Sequence, residues 1–195
     1  MPKAALLTAI AGLNRGILAN PTEKKRVDEL AQGLEAVNPT PDPLKAPDKL
    51  AGNWRLIYTS SQALLGLDRA PLVKLGQIYQ CVRPEEQAIF NIAELYGLPY
   101  LEGLVSVVAK FEPISEAPAR VRVKFQRSII GLRQLLNYRN PEQFISQLAS
   151  GKTLMSLDFK LNSEEQQGWL DITYLDDDLR LGRGNEGSLF VLTKA

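Results

Sequence analysis

TYLDDDLRLGRGNEGSLFVLTK, residues Thr173 to Lys194, turns back on itself twice. Asp176-Asp177-Asp178 separates the run Trp169 to Tyr174 from Leu179 to Arg183, and Asn185-Glu186-Gly187 separates the latter from Ser188 to Thr193. Short polar clusters between runs of strand-forming residues read as hairpin turns. The C-terminus therefore predicts three antiparallel strands in sequence.

Upstream, the period of two continues back to Leu50. Trp54, Leu56 and Tyr58 alternate with Arg55, Ile57 and Thr59, and further runs lie at Gln77–Val82, Gln87–Tyr96 and Leu104–Phe111. Val121, Val123 and Phe125 alternate with Arg120, Arg122 and Lys124, and Met155, Leu157, Phe159 and Leu161 with Leu154, Ser156, Asp158 and Lys160. Clear in-and-out alternation belongs to antiparallel strands with one wet face. Eight or nine such strands with few helices among them predict a closed up-and-down barrel of about eight strands. A barrel of that size is either filled by side chains or holds one small ligand. Its inward positions here are mostly apolar, so the expected guest is apolar.

Two connections are too long for hairpins. Ser60–Gly76 carries Leu64, Leu65, Leu67, Leu72, Val73 and Leu75; Ser128–Gly151 carries Ile129, Ile130, Leu132, Leu135, Leu136, Phe144, Ile145 and Leu148. Packed covers are preferred over mobile lids, because exposed apolar loops invite aggregation.

Two helices open the chain. Leu6, Ile10, Leu13 and Ile17 repeat at helical spacing. The second helix starts at a capping box, Asn20 with Glu23, with Pro21 at its first position, and Val27, Leu30, Leu34 and Val37 form its apolar stripe. NPTPDPLKAPD, Asn38 to Asp48, holds four prolines and reads as a linker. The predicted organisation is a helical pair at 1–37, a linker at 38–49 and a barrel at 50–195.

Composition narrows the function. With 23 basic and 22 acidic residues and a net charge of +1, there is no long-range field to grip nucleic acid by its phosphates. The sequence contains no histidine, which removes Ser-His-Asp and Cys-His nucleophile systems and the usual zinc sites. The single cysteine, Cys81, lies in a strand run and is expected to be a buried, inert thiol. No apolar run approaches a membrane span, and MPKAALLTAI is too short for a secretory signal, so the expected location is intracellular. Nothing points to a cofactor or to a catalytic group.

Several polar residues have two readings. On an alternating strand Arg183 shares parity with Leu179 and Leu181 and would turn inward, either pairing with Asp171, Asp176 or Asp178 or gripping a ligand's polar head. The triple-aspartate turn is preferred as a solvated hairpin over a cation site. Arg120, Arg122 and Lys124, followed by Arg127, Arg133 and Arg139, are preferred as a charged exterior over an anionic-lipid contact. The first helix is expected to cover one barrel end rather than to anchor in a membrane.

Three stretches together resemble the plastid lipid-associated protein family, also called fibrillins or plastoglobulins: LAGNWRLIYTSS (Leu50–Ser61), PLVKLGQIYQ (Pro71–Gln80) and the C-terminal stretch quoted above. Asn14-Arg15-Gly16 and the NPTPDP segment are similar to cyanobacterial members. The resemblance implies a lipocalin-like fold and roles in binding lipids or isoprenoids and in photoprotection. It also implies peripheral association with thylakoids or lipid droplets, on the cytoplasmic or stromal side of photosynthetic membranes. It implies no catalysis; assistance to a prenylquinone biosynthetic enzyme is a role of one plant member. Gly52-x-Trp54 stands where lipocalin-like proteins carry their first-strand Gly-x-Trp, so Trp54 should close the barrel against Arg180 or Arg183. The candidate ligand contacts are then Trp54, Tyr58, Phe125, Phe159, Tyr174, Arg180 and Arg183, facing an isoprenoid quinone, a carotenoid or a fatty acid.

Overall fold

The structure, a computed structural model, describes residues 2–66, 73–97, 101–151, 154–162, 165, 167–185 and 187–195. Leu67, Pro71 and Leu72 of the first long connection and Glu186 of the last turn lie outside them.

Among the described residues nine strands form one sheet: β1 (Gly52–Thr59), β2 (Lys74–Arg83), β3 (Ala88–Tyr96), β4 (Gly103–Ile114), β5 (Ala117–Leu132), β6 (Leu157–Lys160), β7 (Gln167–Leu175), β8 (Leu179–Gly184) and β9 (Leu189–Lys194). Every pairing is antiparallel; all join sequence neighbours except β5 with β7 and the return of β9 to β1, which closes the cylinder. β4 occupies one edge of the long β5, so β6 and β7 share the other: β7 against Arg120–Lys124 and β6 against Arg127–Ile130. The wall is therefore an eight-stranded antiparallel barrel whose sixth strand comes in two pieces, β6 and β7. Ser128–Leu132, expected as part of a connection, belongs to β5 instead.

Three layers of packing surround this wall. Inside lie Trp54, Leu56, Ile78, Val82, Ile89, Ala93, Phe111, Val121, Ile172 and Leu192, with Phe125, Leu170 and Phe190 half-buried against them. The outer face of β1 and β7–β9 carries a second core beneath α1 (Pro2–Ile10) and α2 (Pro21–Glu35), where Leu6, Ile10, Val27 and Leu34 meet Leu179, Leu181 and Val191. The outer face of β2–β5 carries a third, built from Phe90, Ile92, Leu104 and Ile129 under Leu136, Tyr138, Phe144 and Ile145. The first long connection carries a short helix, α4 (Gln62–Leu65), and the second is the expected packed cover, with α5 (Pro141–Ala149) as its rigid part.

Local chemistry explains the helical ends. The Asn20 side chain accepts from the Glu23 amide at 2.9 Å while the Glu23 carboxylate accepts from the Asn20 amide at 2.9 Å, the reciprocal arrangement read from sequence. Val37, assigned to the same stripe, is exposed because α2 ends at Glu35. The first helix is shorter than predicted and lies on the side of the barrel, not over its end. It stops at Ile10, and Asn14, Arg15 and Gly16 take positive φ values of 42°, 59° and 102°. The Arg15 carbonyl accepts from the Thr59 amide at 3.0 Å, and Ile17 reaches the barrel core. A Cβ at Gly16 would come 2.2 Å from the Thr59 carbonyl oxygen, so the turn requires glycine.

The proline-rich segment is not a loose tether. It forms a short 3-10 turn (Pro43–Lys45) and α3 (Pro47–Leu50), each led by a proline at its first position. Leu44 and Leu50 pack into the barrel core.

Candidate functional site

Trp54 is fully buried, its indole donating to the Leu50 carbonyl at 2.9 Å, and the Arg180 guanidinium carbon sits 5.0 Å from its ring centre. Arg180 is the partner, and Arg183 is not. The parity that turned Arg183 inward fails because both faces of β8 are buried. Leu179 and Leu181 face the helices, and the apolar marker that normally identifies the inside is present on the outside too. Arg183 therefore points outward, where Glu35 accepts from its Nε at 2.9 Å and Asp28 from its Nη1 at 2.9 Å.

Arg180 takes the interior position, only 2 % exposed, and donates to the Gln80 amide oxygen. Among the described residues no carboxylate pairs with it, and burial pulls its guanidinium down to about 9. Gln80 in turn donates to Asn91 at 3.0 Å. The space remaining beside this polar cluster, between Val82, Ile89, Phe111 and Ile172, is about 10 Å³. That is room for about one water molecule, so the expected apolar cavity is filled by side chains.

Two bulges redirect the aromatic candidates. Between Leu56 and Tyr58 on β1, and between Ile172 and Tyr174 on β7, the register shifts against the neighbouring strand. An extra residue reverses the facing of everything after it. Tyr58 and Tyr174 consequently lie outside the barrel in the core beneath the helices. Phe125 stays half-buried against the interior cluster. Phe159 sits on β6, half-exposed at 49 %. The seven candidate contacts are thus distributed over the interior, the helix-covered face and the rim, and do not converge on one cavity.

A larger space opens at the rim. A groove of about 570 Å³ is lined by Leu95, Gly103, Ile130, Leu132, Leu135, Leu154, Met155 and Leu157, with Ser156 contributing the one polar side chain. Such a volume is in the range of small-molecule sites. Its outer lip is apolar and in solvent: Met155 is 69 % exposed, Leu157 62 % and Leu135 50 %. At Gly131 a Cβ would come 3.1 Å from Leu136 and 3.3 Å from Ser156, so the missing side chain lets the wall of the groove close over β5. That wall is held by a buried carboxylate. Tyr138 donates to Glu94 at 2.9 Å, Tyr96 donates to its other oxygen at 3.0 Å, and the Arg133 guanidinium lies over both rings. Burial, then the Glu94 charge, pushes the Tyr138 phenol far above its ordinary range.

Leu132 and Leu135 were visible as apolar residues of a long connection, and Leu154 and Met155 as members of an alternating run. The sequence held no sign that these two pieces meet.

The remaining polar candidates are structural. Asp176 accepts from the Asp178 and Leu179 amides at 3.0 and 2.7 Å, from the Tyr174 hydroxyl at 2.7 Å and from Lys3 at 2.7 Å; Lys3 also pairs with Asp178. The triple-aspartate turn thereby clamps the start of α1. Arg120 makes a two-pronged pair with Asp171 and lies 4.0 Å over Trp169, while Lys124, Arg127 and Arg133 pair with Glu112, Asp158 and Glu102. Cys81 is buried, and its thiol is pushed up to about 12 mainly by that burial. Among the described residues no helix is long and apolar enough to cross a membrane, and no acidic or cysteine cluster could hold a metal ion.

The PAP_fibrillin family model matches residues 2–193. The chain is 32 % identical to "Probable plastid-lipid-associated protein 2, chloroplastic" of Arabidopsis thaliana over 98 % of its own length and 70 % of that protein's. It is 35 % identical to "Light-induced protein, chloroplastic" of Solanum tuberosum (98 % and 66 %) and 33 % identical to "Chromoplast-specific carotenoid-associated protein, chromoplastic" of Cucumis sativus (98 % and 67 %). The chain thus spans about two thirds of the relatives it matches. No solved structure matches it. A family model covering nearly every residue, relatives aligned over nearly all of this chain, and a closed eight-stranded antiparallel barrel lead to one conclusion: this chain belongs to the PAP_fibrillin family.

Proposed function

We propose that this protein binds hydrophobic small molecules, isoprenoid quinones, carotenoids or fatty acids, in the rim groove rather than inside the barrel. It does so at thylakoid or lipid-droplet surfaces, in a role linked to photoprotection. The observation that carries the proposal is the groove itself: about 570 Å³ of space with an almost wholly apolar lining and an exposed lip. Covering that lip with a guest removes apolar surface from water, which contributes roughly 25 cal/mol per Å². The names of the relatives, lipid-associated and carotenoid-associated, agree with such a guest. The protein works by binding and not by catalysis. Its place is on the stromal or cytoplasmic face of photosynthetic membranes, in line with relatives named chloroplastic and chromoplastic.

The experiment is lipid extraction and mass spectrometry of gently purified protein, natural and Leu135→Glu/Met155→Glu. Both changes sit on exposed positions and leave the barrel intact. The expected outcome is a bound isoprenoid or fatty acid in the natural protein and its loss in the variant. Equal lipid in both, with unchanged folding, would reject the groove as the site.

A second reading, a coat or adaptor that covers droplets or assists a prenylquinone biosynthetic enzyme without an internal ligand, is favoured by the filled barrel interior. It predicts flotation with liposomes and no stoichiometric guest.

A further inference from the structure

β6 is the one wall piece with a single neighbour among the described strands. It pairs with β5, and its other edge meets no strand. All four of its residues are exposed. An open edge of unpaired backbone groups is a template for another strand, and proteins ordinarily blunt it.

Among the described residues, charge along this edge is left unbalanced. Asp158 accepts two hydrogen bonds from Arg127, at 2.9 and 2.5 Å. Lys160 stands directly opposite that same Arg127 in the β5 register, and among the described residues no carboxylate lies within ion-pair distance of it. Like charges directly opposite across a ladder are unfavourable.

The segment Leu157-Asp158-Phe159-Lys160-Leu161 is, chemically, its own antiparallel complement. The Leu161 amide still donates to the Gln126 carbonyl of β5 at 2.9 Å, so the extended geometry runs through all five residues. With Phe159 on a twofold axis, Asp158 of one copy faces Lys160 of the other, twice. Phe159 faces Phe159, and Leu157 faces Leu161. Each Lys160 gains a facing carboxylate, in a charge row Arg127–Asp158–Lys160. A register one residue away would place charged positions opposite apolar ones and forfeit this match.

We propose that a second copy of this chain occupies the β6 edge, giving an isologous dimer in which the two sheets continue across Leu157–Leu161. This goes beyond the groove, with which it shares Leu157, and needs no guest there. Such an edge with its flanking apolar side chains is small beside the 1,200–2,000 Å² or so of standard stable interfaces, so the dimer forms and dissociates with concentration.

The test is sedimentation velocity of the full chain across micromolar concentrations, with charge reversals. Asp158→Lys and Lys160→Asp each put like charges opposite one another twice, and each weakens the dimer about tenfold. The two single variants mixed together restore every attraction and form a heterodimer; D158K/K160D in one chain restores the homodimer. Phe159→Cys cross-links under mild oxidation, because directly opposite residues lie within disulfide range, while Leu161→Cys does not. The buried Cys81 leaves the readout clean. Unfolding midpoints show that each variant is folded. A natural protein that is monomeric throughout, or single variants that dimerise as well as the natural chain, would overturn the proposal. So would an edge protected only when lipid vesicles are added, which would point to a membrane contact instead.

Discussion

Trp54 and Arg180 stack on each other inside the barrel, yet truncation separates them. Trp54 fills its site completely, so Trp54→Ala leaves a cavity and costs about 3–5 kcal/mol. Among the described residues Arg180 has no counter-charge, and the cation–π contact with one amide hydrogen bond offsets only part of its desolvation. Replacing such a group by an apolar side chain of similar volume is often neutral or stabilising, by about 1–4 kcal/mol. Arg180→Met is therefore expected to be at least as stable as the natural protein in urea unfolding, and a loss of several kcal/mol would show that an unseen partner balances the charge. Both residues were named from sequence, but their roles were not equally legible. The Gly52-x-Trp54 pattern picked out a barrel-closing tryptophan directly. Choosing between Arg180 and Arg183 required knowing which face of β8 is inside, and that strand is apolar on both.

At the level of elements, two polar clamps hold covers onto the barrel. The first joins α1 to the β7–β8 turn through Lys3, Asp176 and Tyr174. Burial alone would raise the Asp176 carboxyl, but hydrogen bonds from Lys3, Tyr174 and two backbone amides hold it well below its ordinary value of 3.8. Its stabilisation is present above that value and is lost as pH falls toward the lower folded-state value. Tyr174 behaves in the opposite sense. Burial, then Asp176, pushes its phenol up to about 12, so its contribution is present below its ordinary 10.0 and is lost as pH rises from there toward 12. Urea midpoints measured against pH should decline at both limits, and Asp176→Asn should flatten the acid limb. The second clamp is Glu94 with Tyr138 and Tyr96. Tyr138→Phe leaves a buried carboxylate oxygen without its donor and costs about 1–3 kcal/mol. Hydrogen exchange in α5 and at Leu135–Leu136 should speed up in that variant before exchange in β1 or β9 does.

For the molecule as a whole, period-two alternation, hairpin turns and the capping box at Asn20 announced a barrel preceded by helices, because each depends only on neighbours a few residues apart. The sequence by itself determined the strand count, the antiparallel order, the inert thiol and the capped start of α2, and it carried the family resemblance that the family match upheld. Only the tertiary structure decided that the interior is full, that Arg180 and not Arg183 faces it, and that the open space lies at the rim. Those outcomes depend on two bulges and on covers that bury the outer wall. A bulge reverses sidedness without altering composition, and a cover makes an outward position as apolar as an inward one. Alternation reports which residues leave water, and the folded chain decides on which side of the wall they do so.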